Sequence, residues 1–134
     1  MSLQYSTTLR NNQLDQVEAT IGTAAKLQLR TGAPPANCAA ADSGTLLCEM
    51  DLPSDWMAAA GSGSKAKSGT WSGTGAAAGT AAHFRVKDSS GATTHIQGTV
   101  TATGGGGDMT LDNTSIAVGQ GVTVSTFTLT AGNS

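Results

Sequence analysis

Apolar side chains near the start of the chain recur at intervals of three and four. Leu14, Val17 and Ile21 fall on one face of a helix, with Leu9 at the edge of the stripe. Ser6, Thr7 or Thr8 can cap it, because a side-chain oxygen accepts from the orphan amides of the first turn. Gly22 supplies the left-handed stop. The spacing predicts a helix within residues 1–22. One apolar stripe needs a surface to cover, and that surface is either this chain's own sheet or a neighbouring subunit.

After Gly22 the period changes to two. Leu27 and Leu29 alternate with Lys26, Gln28 and Arg30, the pattern of a half-buried strand. The segment APPANCAAADSG reads as a loop, stiffened by Pro34 and Pro35. TLLCEMDLP is the next strand, with Leu46, Cys48 and Met50 on one face, ended by Pro53. SDWMAAAG reads as a short helical turn capped by Ser54. The low-complexity run that follows holds one strand near Ala66 to Trp71 and then a loop.

AAHFRVKDSSGATTHIQGTV reads as a hairpin. Phe84 and Val86 alternate with His83, Arg85 and Lys87, and Ile96 and Val100 alternate with His95, Gln97 and Thr99. Phe84 and Ile96 share a buried face when paired positions sum to an even number. A three-residue loop at residues 89–91, closing Asp88 on Ala92, achieves this with Gly91 in the left-handed region. Further on, TATGGGGDMTLDN bends into a strand carrying Met109 and Leu111. In the last strand the apolar face switches between Val124 and Phe127, which predicts a bulge near Ser125 or burial on both sides. Seven or eight strands with one N-terminal α-helix predict a mainly β fold, an antiparallel β-sandwich or jelly-roll-like domain. The division expected is a helical docking element, residues 1–22, followed by a sandwich domain, residues 23–134.

Composition adds a constraint. The chain has 134 residues, enough for one core, but only 12% are charged and 4% aromatic, with 18 glycines. Charge at about half the usual share argues that part of the surface is covered by other subunits. The net charge is −2 and the seven basic residues are dispersed along the chain, so no nucleic-acid partner is expected. No run of about 20 apolar residues predicts a membrane span. The start lacks the basic-then-apolar layout of a signal peptide, so folding in a cytoplasm with reduced thiols is expected.

Candidate chemistry is sparse. Cys38 and Cys48 are ten positions apart, compatible with a bridge, with two free thiols, or with a reactive or metal-binding pair. In the register above, His83 lies opposite Gln97 and His95 opposite Arg85. The imidazoles are then diagonal neighbours, which suits shared metal ligation or two exposed histidines. GSGSKAKS lacks the G-K-[ST] ending of a phosphate loop. GTGAAAG lacks the strand–turn–helix setting of a dinucleotide site. GGGGDMTL is one copy of a calcium repeat that needs stacking. Asp108 with Asp112, and Glu49 with Asp51, are carboxylate pairs without an aromatic-rich cleft. No G-x-S-x-G occurs. The expectation is a protein without catalytic residues, cofactor or metal.

TGAPPANCAAADSGTLL, LPSDWMAAA, HIQGTVTATGGGGDMTLDN and VTVSTFTLTAGN together resemble a family of short uncharacterised proteins of tailed bacteriophages and prophages of proteobacteria. The likeness runs from Tyr5 to Asn133 and carries no mechanistic motif. It implies a virion structural protein, a head decoration (cement) or collar component, located in the virion. The partners implied are further copies of the chain and the major capsid protein or connector. Contacts are expected through Leu9, Leu14, Val17, Ile21, Pro34, Pro35 and Trp56. The other reading is a receptor- or glycan-binding module of a tail fibre or baseplate, for which Trp56 and Trp71 are the only candidate platform.

Overall fold

The computed structural model describes residues 3–131. The predicted helix is α1, Thr7–Ile21. The Ser6 hydroxyl accepts from the Leu9 amide at 3.1 Å, and the Gly22 amide closes the last turn on Glu18 O at 2.8 Å. The strands are β1 (Lys26–Arg30), β2 (Leu46–Asp51), β3 (Ser64–Ala66), β4 (Ser72–Thr74), β5 (Gly79–Thr80), β6 (His83–Lys87), β7 (Thr94–Ala102), β8 (Met109–Leu111), β9 (Ser115–Ile116) and β10 (Gly121–Thr130). The fold is mainly β with a single N-terminal helix.

Neighbouring strands run β2–β1–β6–β7–β8–β10–β3, and β5 with β9 forms a separate pair. Pairing is antiparallel everywhere except between β7 and β8, which run parallel. That step uses the four-glycine bend. Gly105 and Gly107 lie so close to Thr101 that a Cβ on either would come within 3 Å of it, so the chain can double back only with glycine there. β3 and β4 follow the same edge of β10, one beside residues 128–130 and the other beside 121–123. The sheet then curls onto its own beginning: Gly75 bridges Cys48, and the Ala76 amide donates to Leu47 O at 2.7 Å. Curling lets one sheet supply both layers around a core.

A row of rings runs through that core. Trp56 and Trp71 are 5.9 Å apart, Trp71 and Phe127 5.6 Å, and Phe127 and Phe84 5.3 Å. Tilted and edge-on arrangements of this kind suit aromatic quadrupoles. Leu27, Leu29, Val86, Met109, Leu111 and Val124 complete the packing. The bulge lies at Ser125, where the β8–β10 register shifts between Val124 and Thr126. It returns Phe127 to the face that Val124 occupies, and both are buried.

Helix α1 covers the sheet of its own chain. Leu14 and Ile21 are each 5% exposed and Val17 packs against the core, so the stripe is used within the molecule. The polar side of α1 holds residues 57–65: Asn11 accepts from the Gly63 amide, Asp15 from Ala60 and Glu18 from Met57. Lys65, almost fully buried, bridges Asp15 at 2.8 Å and Glu18 at 3.1 Å.

The hairpin forms, two positions away from the expected register. Phe84 pairs with Gly98, Arg85 with Gln97 and Val86 with Ile96, sums of 182 rather than 180. An even shift preserves which face each residue occupies. The turn is longer than three residues: the Asp88 amide donates to Thr93 O, and Gly91 takes φ +74° as expected.

Candidate functional site

The outer face of β1 and β6 is polar, and Gln28, His83, Arg85 and Lys87 on it are buried. On β6 the alternation of apolar and polar residues predicts one exposed face. Yet all five residues are buried, Arg85 at 1% exposure and His83 at 0%. The cover is the loop of residues 31–45, the segment TGAPPANCAAADSGT, which folds back across the sheet.

Asp42 is the only charged residue in that loop, and it points inward. Its carboxylate meets Arg85 Nη1 at 2.5 Å, Lys87 Nζ at 2.6 Å and Arg30 Nη2 at 3.2 Å. Three cations on one carboxylate leave positive charge to be absorbed, and neutral acceptors do this. Arg85 also donates to the carbonyls of Asn37 and Cys38 at 3.1 Å each and to Gln97 Oε1 at 3.2 Å. Arg30 donates to Gln28 Oε1, and Gln28 in turn donates to Glu49 at 2.8 Å. Gln97 Nε2 closes the network on Pro35 O at 2.7 Å. Burial pushes the Asp42 pKa up, but hydrogen bonds from Lys87 and Arg85 and the Arg30 charge outweigh it, and the carboxyl is held at about 2.

The sequence-derived contact residues do not form one surface. Leu14, Ile21 and most of Val17 are used on the chain's own core, while Leu9 stays 45% exposed. Pro34 and Pro35 are half-buried in the clamped loop. Trp56 corrects the expectation outright. It is 0% exposed and donates its indole N–H to Gly22 O at 3.0 Å, so it has no face to offer a partner. Trp71 is equally buried, so the two tryptophans form no exposed platform.

The cysteines are both free, Cys38 half-buried and Cys48 fully buried. Burial, and secondarily the Glu49 charge, pushes the Cys48 thiol up, away from reactivity. The histidines are not diagonal neighbours on an open face. His83 pairs with Thr99 beneath the loop, with Nδ1 2.8 Å from Gly32 O, while the β6–β7 register skips His95. Among the described residues no group of three or more His, Cys, Asp or Glu side chains is placed to hold a metal ion. The carboxylate pairs serve the backbone or local charges: Asp108 caps the Thr99 amide, Asp112 caps Asn113, and Glu49 and Asp51 meet Lys26.

Sequence reasoning missed Asp42, Arg85, Lys87, Arg30, Gln28 and Gln97 as one cluster. The available signal was the only charge in a fifteen-residue loop, beside two strands whose polar positions carry four cations, a histidine and a glutamine among them. Comparison with protein-family models, with curated proteins and with solved structures gives no match.

Proposed function

We propose that this chain is a non-enzymatic structural protein of a tailed-bacteriophage virion, a head decoration or collar component that self-associates and docks on the capsid or connector. The observation that carries this reading is the clamped loop. Its one charge is turned inward, and its outer side presents Gly32, Ala33, Ala36, Asn37 and Ala39, all exposed. Such residues lose little side-chain entropy when covered, and interface cores are depleted of charge. Anchoring through Asp42 orders the loop beforehand, which lowers the cost of binding. The resemblance of the sequence to phage virion proteins gives the setting. The glycan-binding alternative loses its support with both tryptophans inside the core.

The deciding measurement is the copy number of the protein in purified particles of the phage or induced prophage that encodes it. A lattice decoration is expected at a stoichiometry comparable to the capsid protein, and a handful of copies moves the assignment to the neck or tail. Absence from particles overturns the proposal. Ala39→Glu places a charge on the loop exterior and is expected to abolish particle binding with the melting temperature unchanged.

A further inference from the structure

β8 is three residues long and separates β7 from β10 only where it pairs with Val100–Ala102 on one side and Val124–Phe127 on the other. Toward the start of β7 and the end of β10, no described strand continues the line of β8. Residues 94–98 pair with β6 alone, and residues 128–130 with β3 alone. A cavity of about 520 Å³ occupies this gap, lined among others by Phe84, Ile96, Asp108, Thr128, Leu129 and Thr130.

The backbone groups facing the gap follow from the ladder. The Thr99 amide donates to Asp108 while the Val100 amide donates to Ala82 O, so Gln97, like Thr99, aims its N–H and C=O at the gap. On β10, the Lys67 amide donates to Phe127 O and the Ala131 amide to Gly63 O. Thr128 and Thr130 are therefore aimed the other way, across the gap toward β7. Because β8 sets the two edges two strand spacings apart, about 10 Å, a single extended segment can bond to both. The floor is apolar and incompletely covered: Ile96 and Leu129 point inward yet remain only partly buried.

We propose that this gap receives residues 3–6 of a second copy of the chain as an added strand. Leu3-Gln4-Tyr5-Ser6 precedes the helix and alternates apolar with polar, the pattern of a strand with one buried face. Leu3 is 72% and Tyr5 40% exposed, two of the few large apolar residues on the surface. Inserted, both reach the floor of Phe84, Ile96 and Leu129, while Gln4 and Ser6 stand beside Thr128 and Thr130. The segment is uncharged, as is the gap apart from Asp108, which is engaged by Thr99. Donor and acceptor surfaces differ, so copies associate either by reciprocal exchange in a two-fold pair or head-to-tail in a ring or filament. It gives a mechanism to the self-association in the proposed function, yet its test needs no particle.

Amide exchange of the full chain at low and high protein concentration reads the gap directly. Gln97, Thr128 and Thr130 are expected to gain protection with concentration, and concentration-independent exchange overturns the proposal. Leu3→Ser with Tyr5→Ser is expected to weaken self-association at least tenfold without lowering the melting temperature of the dilute protein. Gln4→Cys with Thr128→Cys, which share the outer face, in a Cys38→Ser background, is expected to give disulfide-linked oligomers. A link formed only within one chain, or none, overturns it. Either failure leaves the particle copy number, and the virion reading, standing.

Discussion

Asp42 shows how one side chain decides the behaviour of fifteen residues. With its pKa held at about 2, below the ordinary carboxylate value, its contribution to stability is fully present above about pH 4 and is lost as pH falls toward 2. At a side chain 30% exposed, solvent screening reduces that contribution to about 1 kcal/mol. Asp42→Asn is expected to lower the melting temperature at neutral pH and to leave Arg85 and Lys87 buried with unbalanced charge. The difference between wild type and variant should shrink as both are melted at successively lower pH between 4 and 2. A difference that stays constant across that range would show that the carboxylate charge does not clamp the loop. The charge was legible in the sequence as a lone acid, but its partners were not. Arg30, Arg85 and Lys87 are scattered along the chain and meet only because β1 and β6 are neighbours.

At the scale of the element, α1 was legible in full: cap, stripe and glycine stop are all local. What it covers was not. Leu14 and Leu9 share a sequence pattern but differ in surroundings, one buried on the sheet and the other 45% exposed. Leu14→Ala is expected to cost about 2–4 kcal/mol in chemical denaturation, the range for emptying a buried leucine site, whereas Leu9→Ala should stay within about 0.5 kcal/mol. Equal effects would mean that the helix does not rest on the core as described. The hairpin illustrates the same division. Alternation gave the correct faces, and Gly91 the correct turn residue, but the pairing moved by two positions, one from the longer turn that closes Asp88 on Thr93 and one from a bulge beside Val86. A shift by two is invisible to a period-two pattern, because it exchanges no residue between faces.

For the molecule as a whole, the helix and the sheet share their interior. Ile21 belongs to the core, the Trp56 indole is bonded to Gly22 O, and buried Lys65 is neutralised by Asp15 and Glu18. The far-ultraviolet signal of the helix and the fluorescence of the buried tryptophans are therefore expected to be lost in one coincident transition. Two separated transitions would make residues 1–22 an independent unit. Deleting those residues would uncover Ile96 and the core beside it, so their part in assembly is better tested by point substitutions at Leu3, Tyr5 and Leu9.

The sequence by itself determined the local elements: one capped helix, alternating strands, the turn glycines and the switch of apolar face between Val124 and Phe127. Each depends on residues close together in the chain, whose periodicity and backbone preferences act over a few positions. Only the tertiary structure decided that β6 is central and buried on both faces, and that the sheet curls back to β2. It also decided that a loop carrying a single acid is pinned over scattered cations, and that β8 is too short to fill the space between β7 and β10. These outcomes depend on which strands become neighbours. That choice rests on contacts between residues far apart in the chain, and hydrophobic alternation, the same in a central strand as in an edge strand, does not encode it.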